Sequence, residues 1–251
     1  MEQKDYILIA FSGTALTISI ISLIITLIQK NKETKRTIRK TITDNLESIA
    51  KANIELNKLR AQKDTDFNSD YNIAIRRNVN SQKRVVLSNA KYLIDRNLDI
   101  ATESDCNLMA GAFTDIGDFG MAEHYWKITL QKSRSPEILI MNLRGFGMFK
   151  FAKNEIEEAR ELFKKADKIN LTESDSHFAI KCDTQLMLSD FEINLDKKRY
   201  ENCLTNSMEY LSKIKNTNKQ NEMQERVRRK IAKYKAERTI TRVSLRAEHE
   251  Q

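Results

Sequence analysis

Proline and glycine are what this chain most lacks: Pro136 is the single proline, and six glycines are spread over 251 residues. So few turn residues exclude a β-rich fold built on tight hairpins, and the chain reads as all-α. Histidine and cysteine are scarce too. His124, His177 and His249 stand far apart, as do Cys106, Cys182 and Cys203, with no HExxH, no CxxC and no zinc spacing among them. No metal and no cofactor are therefore expected. An odd number of separated thiols fits unpaired, packed cysteines in a reducing compartment. Asp118-Phe119-Gly120 and Gly145-Phe146-Gly147 spell fragments of kinase and dinucleotide motifs, yet the glycine-rich loop, strand lysine and third glycine that give them meaning are missing. With no GxSxG and no P-loop either, no catalytic residue is assigned and the chain is not expected to be an enzyme.

Charge is present but uneven. Of the formal +8, the segment Lys30–Lys40 carries +5 and Lys213–Gln251 carries +7, which leaves the remainder mildly acidic. Ahead of the first basic segment, Tyr6 to Leu27 contains no charge. As a helix it covers about 33 Å, enough for a hydrocarbon core of roughly 30 Å. Residues 1–29 are read as a transmembrane anchor rather than a cleaved leader, because the preceding residues are not basic and no small-residue cleavage site follows. The basic flank Lys30, Lys32, Lys35, Arg36, Arg39 and Lys40 then sets the orientation, N-terminus outside and body cytoplasmic; the low-Gly, Lys-, Ile- and Asn-rich composition suits a bacterium, and the anchor is then expected in the inner membrane. Small residues four apart in the span, Gly13 and Thr17, Ala15 and Ser19, leave self-association of such helices open.

Residues 30–63 form a basic juxtamembrane segment and helical stalk. Ile42, Leu46, Ile49 and Leu56 fall on a 4-3-7 spacing, with Asn53 at the remaining seam position. Such a seam suits either a short coiled coil or one amphipathic helix packed on its own domain. Asp, Asn and Ser clusters mark 64–80 as a hinge. In the tail, 217–251, Met223, Val227, Ile231 and Tyr234 recur among Arg226, Arg229, Lys230 and Lys233. Three readings of this basic amphipathic helix stay open: a lipid-surface helix, a nucleic-acid binder, or a solvated cap on the body.

Between hinge and tail, residues 81–216, a pattern repeats. Ser104–Arg134 holds Met109, Ala110 and Phe113, a turn at Gly117, then Phe119, Ala122 and Trp126; Ile140–Asn170 holds Phe146 and Gly147, a turn at Asn154, then Ile156, Ala159, Phe163 and Ala166. The two segments resemble tetratricopeptide repeats, with departures at Thr129, Lys150 and Leu171 and a spacing of 37 from Ala122 to Ala159 where the family's period is 34. The resemblance implies a solenoid of antiparallel helix pairs, Trp126 and Phe163 filling the gaps between units, and a concave groove that binds a protein partner. Groove-facing positions would be Asn107 and Thr114 on the first unit, and Arg144, Met148 and Phe151 on the second. The architecture expected is thus an N-terminal transmembrane helix, a stalk, a helix-pair solenoid and a basic C-terminal helix. Its leading function is that of a membrane-tethered adaptor that recruits a protein partner to the cytoplasmic face, with nucleic acid not expected as a ligand. The alternative is a self-oligomerising membrane effector, as in a defence or toxin-like system.

Overall fold

The computed structural model describes residues 3–61 and 70–232, with side chains described for 22–59 and 71–232. Among the described residues every regular element is a helix: α1 Gln3–Ala61, α2 Asp70–Arg96, α3 Glu103–Asp115, α4 Phe119–Lys132, α5 Pro136–Ala152, α6 Ile156–Lys168, α7 Asp175–Glu192, α8 Lys197–Ser212, and α9 over 217–232. They fall into two compact units, Met1–Asp118 and Phe119–Gln251.

The first unit is built on an antiparallel hairpin of α1 and α2, on which α3 packs. Lys35 pairs with Asp99 at 2.9 Å and Lys83 bonds Asn53 at 2.6 Å; one partner advances along the chain as the other retreats, which is antiparallel register. The 4-3-7 seam of Ile42, Leu46, Ile49 and Leu56 is buried, as are Val79, Leu87, Ala90 and Ile94 of α2. Of the two readings of that seam, packing on its own domain is the one realised. Thr102 and Asp105 close a capping box at the start of α3, which satisfies two otherwise orphaned amides. Arg39 reaches from α1 to the same Asp105 carboxylate.

Two expectations are corrected here. Among the described residues no helix is long and apolar enough to cross a membrane. Helix α1 runs unbroken past the expected boundary at residue 29. Its described side chains offer only the uncharged run Ser22–Gln29 before Lys30, Lys32, Glu33 and Lys35 follow, short of the roughly 20 apolar residues a span needs. The side chains of Tyr6 to Ile21, the rest of the expected span, lie outside the described residues. The second correction concerns the hinge. Residues 62–69 lie outside the description, but 70–80 are already the start of α2. Asn72 and Val79 are buried there and Ile73 and Ile75 half-buried, so packing overrides the weak helix preference of an Asn-rich stretch.

In the second unit α5 and α6 form one hairpin and α7 and α8 another, with α4 against α5. Glycine decides two crossings. A Cβ on Gly147 would lie 2.8 Å from the Phe163 ring, and one on Gly145 would lie 2.6 Å from the Trp126 ring, so neither position has room for a side chain. The turn from α5 to α6 runs through Asn154 in the left-handed region, φ 62°, which asparagine tolerates better than most residues. Phe151 and Phe191 stack face to face, 4.4 Å between centroids and 2° between planes, and tie α5 to α7.

Helix α9 completes the unit. Met223 and Val227 are buried in one cluster with Cys182, Leu186, Tyr200 and Leu204, and Ile231 packs at its edge. The tail's apolar stripe over 217–232 is therefore spent inside the protein, which is the solvated-cap reading. Arg226 pairs with Asp183 at 2.7 Å, and Lys230 pairs with Asp190. Residues 233–251, Tyr234 included, lie outside the described residues.

Candidate functional site

The residues expected to line a groove are distributed over both units. In the first, Asn107 and Thr114 are half-buried, and the Thr114 hydroxyl donates back to the Ala110 carbonyl at 2.8 Å. In the second, Met148 is 40 % exposed whereas Phe151 is buried, its face covered by Phe191. Phe151 is a core residue and not a groove wall. Arg144 is engaged as well, its Nη2 donating to Asp183 at 2.6 Å, so that Asp183 bridges Arg144 of α5 and Arg226 of α9. Among the basic residues of α1, Lys30, Lys32, Lys35, Arg36 and Lys40 are exposed and Arg39 is half-buried. Lys35 and Arg39 fold onto Asp99 and Asp105.

A concavity of the second unit lies elsewhere, on α6, α7 and α8. It is a trough of about 480 Å³ to which each helix contributes one stripe: Glu157, Arg160, Glu161, Lys164 and Asp167 from α6, Thr184, Gln185, Leu188 and Glu192 from α7, and Arg199, Asn202, Cys203 and Asn206 from α8. Spacings of three and four residues put each set on one helical face. Helix α7 supplies the floor, since Thr184, Gln185 and Glu192 are buried, while Glu161, Lys164, Arg199, Asn202 and Asn206 on the walls are exposed.

Charge in this trough is balanced within the protein. The fully buried Glu192 receives two parallel hydrogen bonds from Arg160, Nε to Oε1 and Nη2 to Oε2, each 2.7 Å. A bidentate pair of this kind is what lets a carboxylate stay buried. Lys164 pairs with Glu161 at 2.9 Å and Arg199 with Asp196 at 3.3 Å. The Tyr210 hydroxyl donates to Asp167 at 3.3 Å.

Burial holds the protons of two thiols and a phenol in or near the trough. Burial, and then the charge of Glu192 and Asp167, push the Cys203 thiol up to about 12. Burial, and then the charge of Asp183, push Cys182 up to about 11. Tyr210 is raised to about 12, first by burial and then by Asp167. A thiol held that high is a small apolar side chain rather than a nucleophile. Among the described residues no group of three or more His, Cys, Asp and Glu is arranged to hold a metal ion.

What the trough leaves unspent is amide hydrogen-bonding capacity. Gln185 is 7 % exposed and makes no side-chain hydrogen bond among the described residues, and the same holds for the exposed Asn202 and Asn206. Sequence reading placed the site on first helices and missed this face. The available signal was the pair of asparagines four apart on α8, one helical turn, and no sequence pattern joined it to Gln185 on another helix. The chain matches no protein-family model, no curated protein and no solved structure.

Proposed function

We propose that this chain is a protein-interaction module whose second unit takes a segment of a partner polypeptide into the trough on α6, α7 and α8. The observation that carries the reading is the composition of that trough. Its neutral amides and paired charges surround a floor held rigid by the Arg160–Glu192 pair, a surface suited to reversible polar contact. Binding is favoured over catalysis because Cys203 and Tyr210 are protonated far above neutral pH. Nucleic acid and other phosphates are disfavoured because Arg160, Lys164 and Arg199 already have carboxylate partners, whereas phosphate contact draws on uncompensated cations.

The test is a random twelve-residue peptide library displayed against the full-length chain. Selected peptides are expected to lose affinity when Asn202 and Asn206 are both changed to Ala, and to keep it when the exposed Lys127 of α4 is changed. A library that yields no binder, or binders indifferent to the Asn202/Asn206 change, would overturn the proposal.

A further inference from the structure

We infer that the trough recognises the main chain of an extended peptide, with Gln185 of α7 as the buried anchor and Asn202 and Asn206 of α8 as a ladder that reads alternate peptide groups. The inference rests on the function just proposed and adds what is recognised. Gln185 is the reason to look. A buried primary amide carries two donors and an acceptor, and such groups are almost always paired. Gln185 is nine-tenths buried, lines the trough and has no protein partner among the described residues. Its amide opens into the trough, where a ligand can complete its hydrogen bonds in place of water.

The chemistry of that group follows from the surroundings. Cationic walls would select an anion and acidic walls a cation, but each of Arg160, Lys164 and Arg199 has its carboxylate. A neutral ligand that both donates and accepts is what three amides can pair with, and the peptide group does both in one plane. Spacing points the same way. Four residues of α8 advance about 6 Å, and two residues of an extended chain advance about 6.7 Å. Asn202 and Asn206 therefore meet peptide groups two residues apart, on the edge of the ligand that faces them. The N–H and C=O groups of the intervening residues would turn to the opposite edge and the side chains to the two faces of the ligand, so recognition would depend weakly on side-chain identity.

The experiment uses a peptide selected against the full-length chain, synthesised as a set in which each amide nitrogen is methylated in turn. Methylation removes one donor and leaves the side chains unchanged. The expected result is a period-two pattern, with affinity falling about tenfold at alternate positions and changing little between them. On the protein side, Gln185→Leu is expected to melt at about the same temperature as the parent chain, since the amide makes no hydrogen bond among the described residues, yet to bind the unmodified peptide about tenfold more weakly. A purely structural Gln185 would give loss of stability with no separate loss of binding, and that outcome overturns the inference. Should Gln185→Leu fail to fold, the methylation series decides alone, because it leaves the protein untouched. A peptide that binds through Asn202 and Asn206 but shows no alternation refutes main-chain recognition and leaves the interaction module standing. Failure to select any peptide refutes both.

Discussion

Lys83 of α2 places its ammonium 2.6 Å from the Asn53 side-chain oxygen of α1, inside an otherwise apolar seam. The lysine is 2 % exposed, and its second acceptor is Asp115 of α3 at 2.8 Å. One buried cation thus holds three helices in a single register. The polar residue that interrupts the Ile42, Leu46, Ile49, Leu56 seam is there for that lysine.

Asn53→Leu makes the seam continuous and, on hydrophobicity alone, ought to stabilise. The expectation is the reverse, a loss of about 1–3 kcal/mol, because a buried ammonium loses one of its two acceptors. Adding Lys83→Met should restore most of the loss, since matched apolar replacement removes the desolvated charge along with its need for a partner. Denaturant unfolding of the two single variants and the double variant completes the cycle. Additive effects would mean that the contact does not couple the two helices.

Two glycines in helix interiors should respond in opposite directions. Gly147→Ala forces a methyl to within 2.8 Å of the Phe163 ring and 3.4 Å of the Ala159 carbonyl oxygen, and overpacking of this kind costs about 1–3 kcal/mol. Gly111 of α3 has no atom within 4 Å of a built Cβ, so Gly111→Ala gains the helix preference of alanine, about 0.5–1 kcal/mol. Thermal melts of the two variants should move to either side of the parent chain.

Helix, seam and turn were legible because each is a local pattern. Apolar spacing marked Ile42 to Leu56 and Met223 to Ile231 as stripes in need of cover, and the turn residues of the repeated pattern marked Gly117 and Asn154; both take positive φ, 81° and 62°. Trp126 and Phe163 are buried as core residues. Partner choice was not legible. The seam of α1 is satisfied by α2 of the same chain, and the stripe of α9 by α7 and α8, because an apolar stripe states that it needs covering and not by what. Phe151 was misplaced for a related reason: its one-turn neighbour Met148 is exposed, and the packing of Phe163 from α6 and Phe191 from a separate hairpin turns Phe151 inward. The trough draws on three helices between residues 157 and 206, and Gln185 gives no sign in the sequence that its amide lacks a partner.

Acid should act on the second unit in part through Glu123. Its carboxylate lies 3.0 Å from Lys127, 3.2 Å from Lys150 and 3.1 Å from Lys153. The hydrogen bond from Lys127, helped by those from Lys153 and Lys150, lowers it from an ordinary 4.5 to about 2. A carboxylate lowered in the folded state binds its proton more readily once unfolded. Its contribution is therefore complete above pH 4.5 and disappears as pH falls towards 2. Glu123→Gln should be less stable than the parent chain at pH 7, and the gap should close through that window in denaturant titrations. A gap that stays constant from pH 7 to pH 2 would contradict the assignment.

Alkali should act through the thiols, with the opposite sign. Cys182 and Cys203, ordinarily near 9.0, are raised by burial to about 11 and about 12. A thiol raised in the folded state gives stability that is complete below pH 9 and is lost as pH climbs through 11 to 12, because the unfolded chain ionises first. At pH 8 the folded thiolate fraction is about a thousandth for Cys182 and less for Cys203, against roughly a tenth once unfolded. Iodoacetamide at pH 8 should therefore leave both unmodified in the native protein and label both quickly in denaturant, read residue by residue from peptide masses. Labelling of Cys203 that is fast under native conditions would show that α8 opens away from the trough without global unfolding, and would remove the fixed wall on which the peptide site depends.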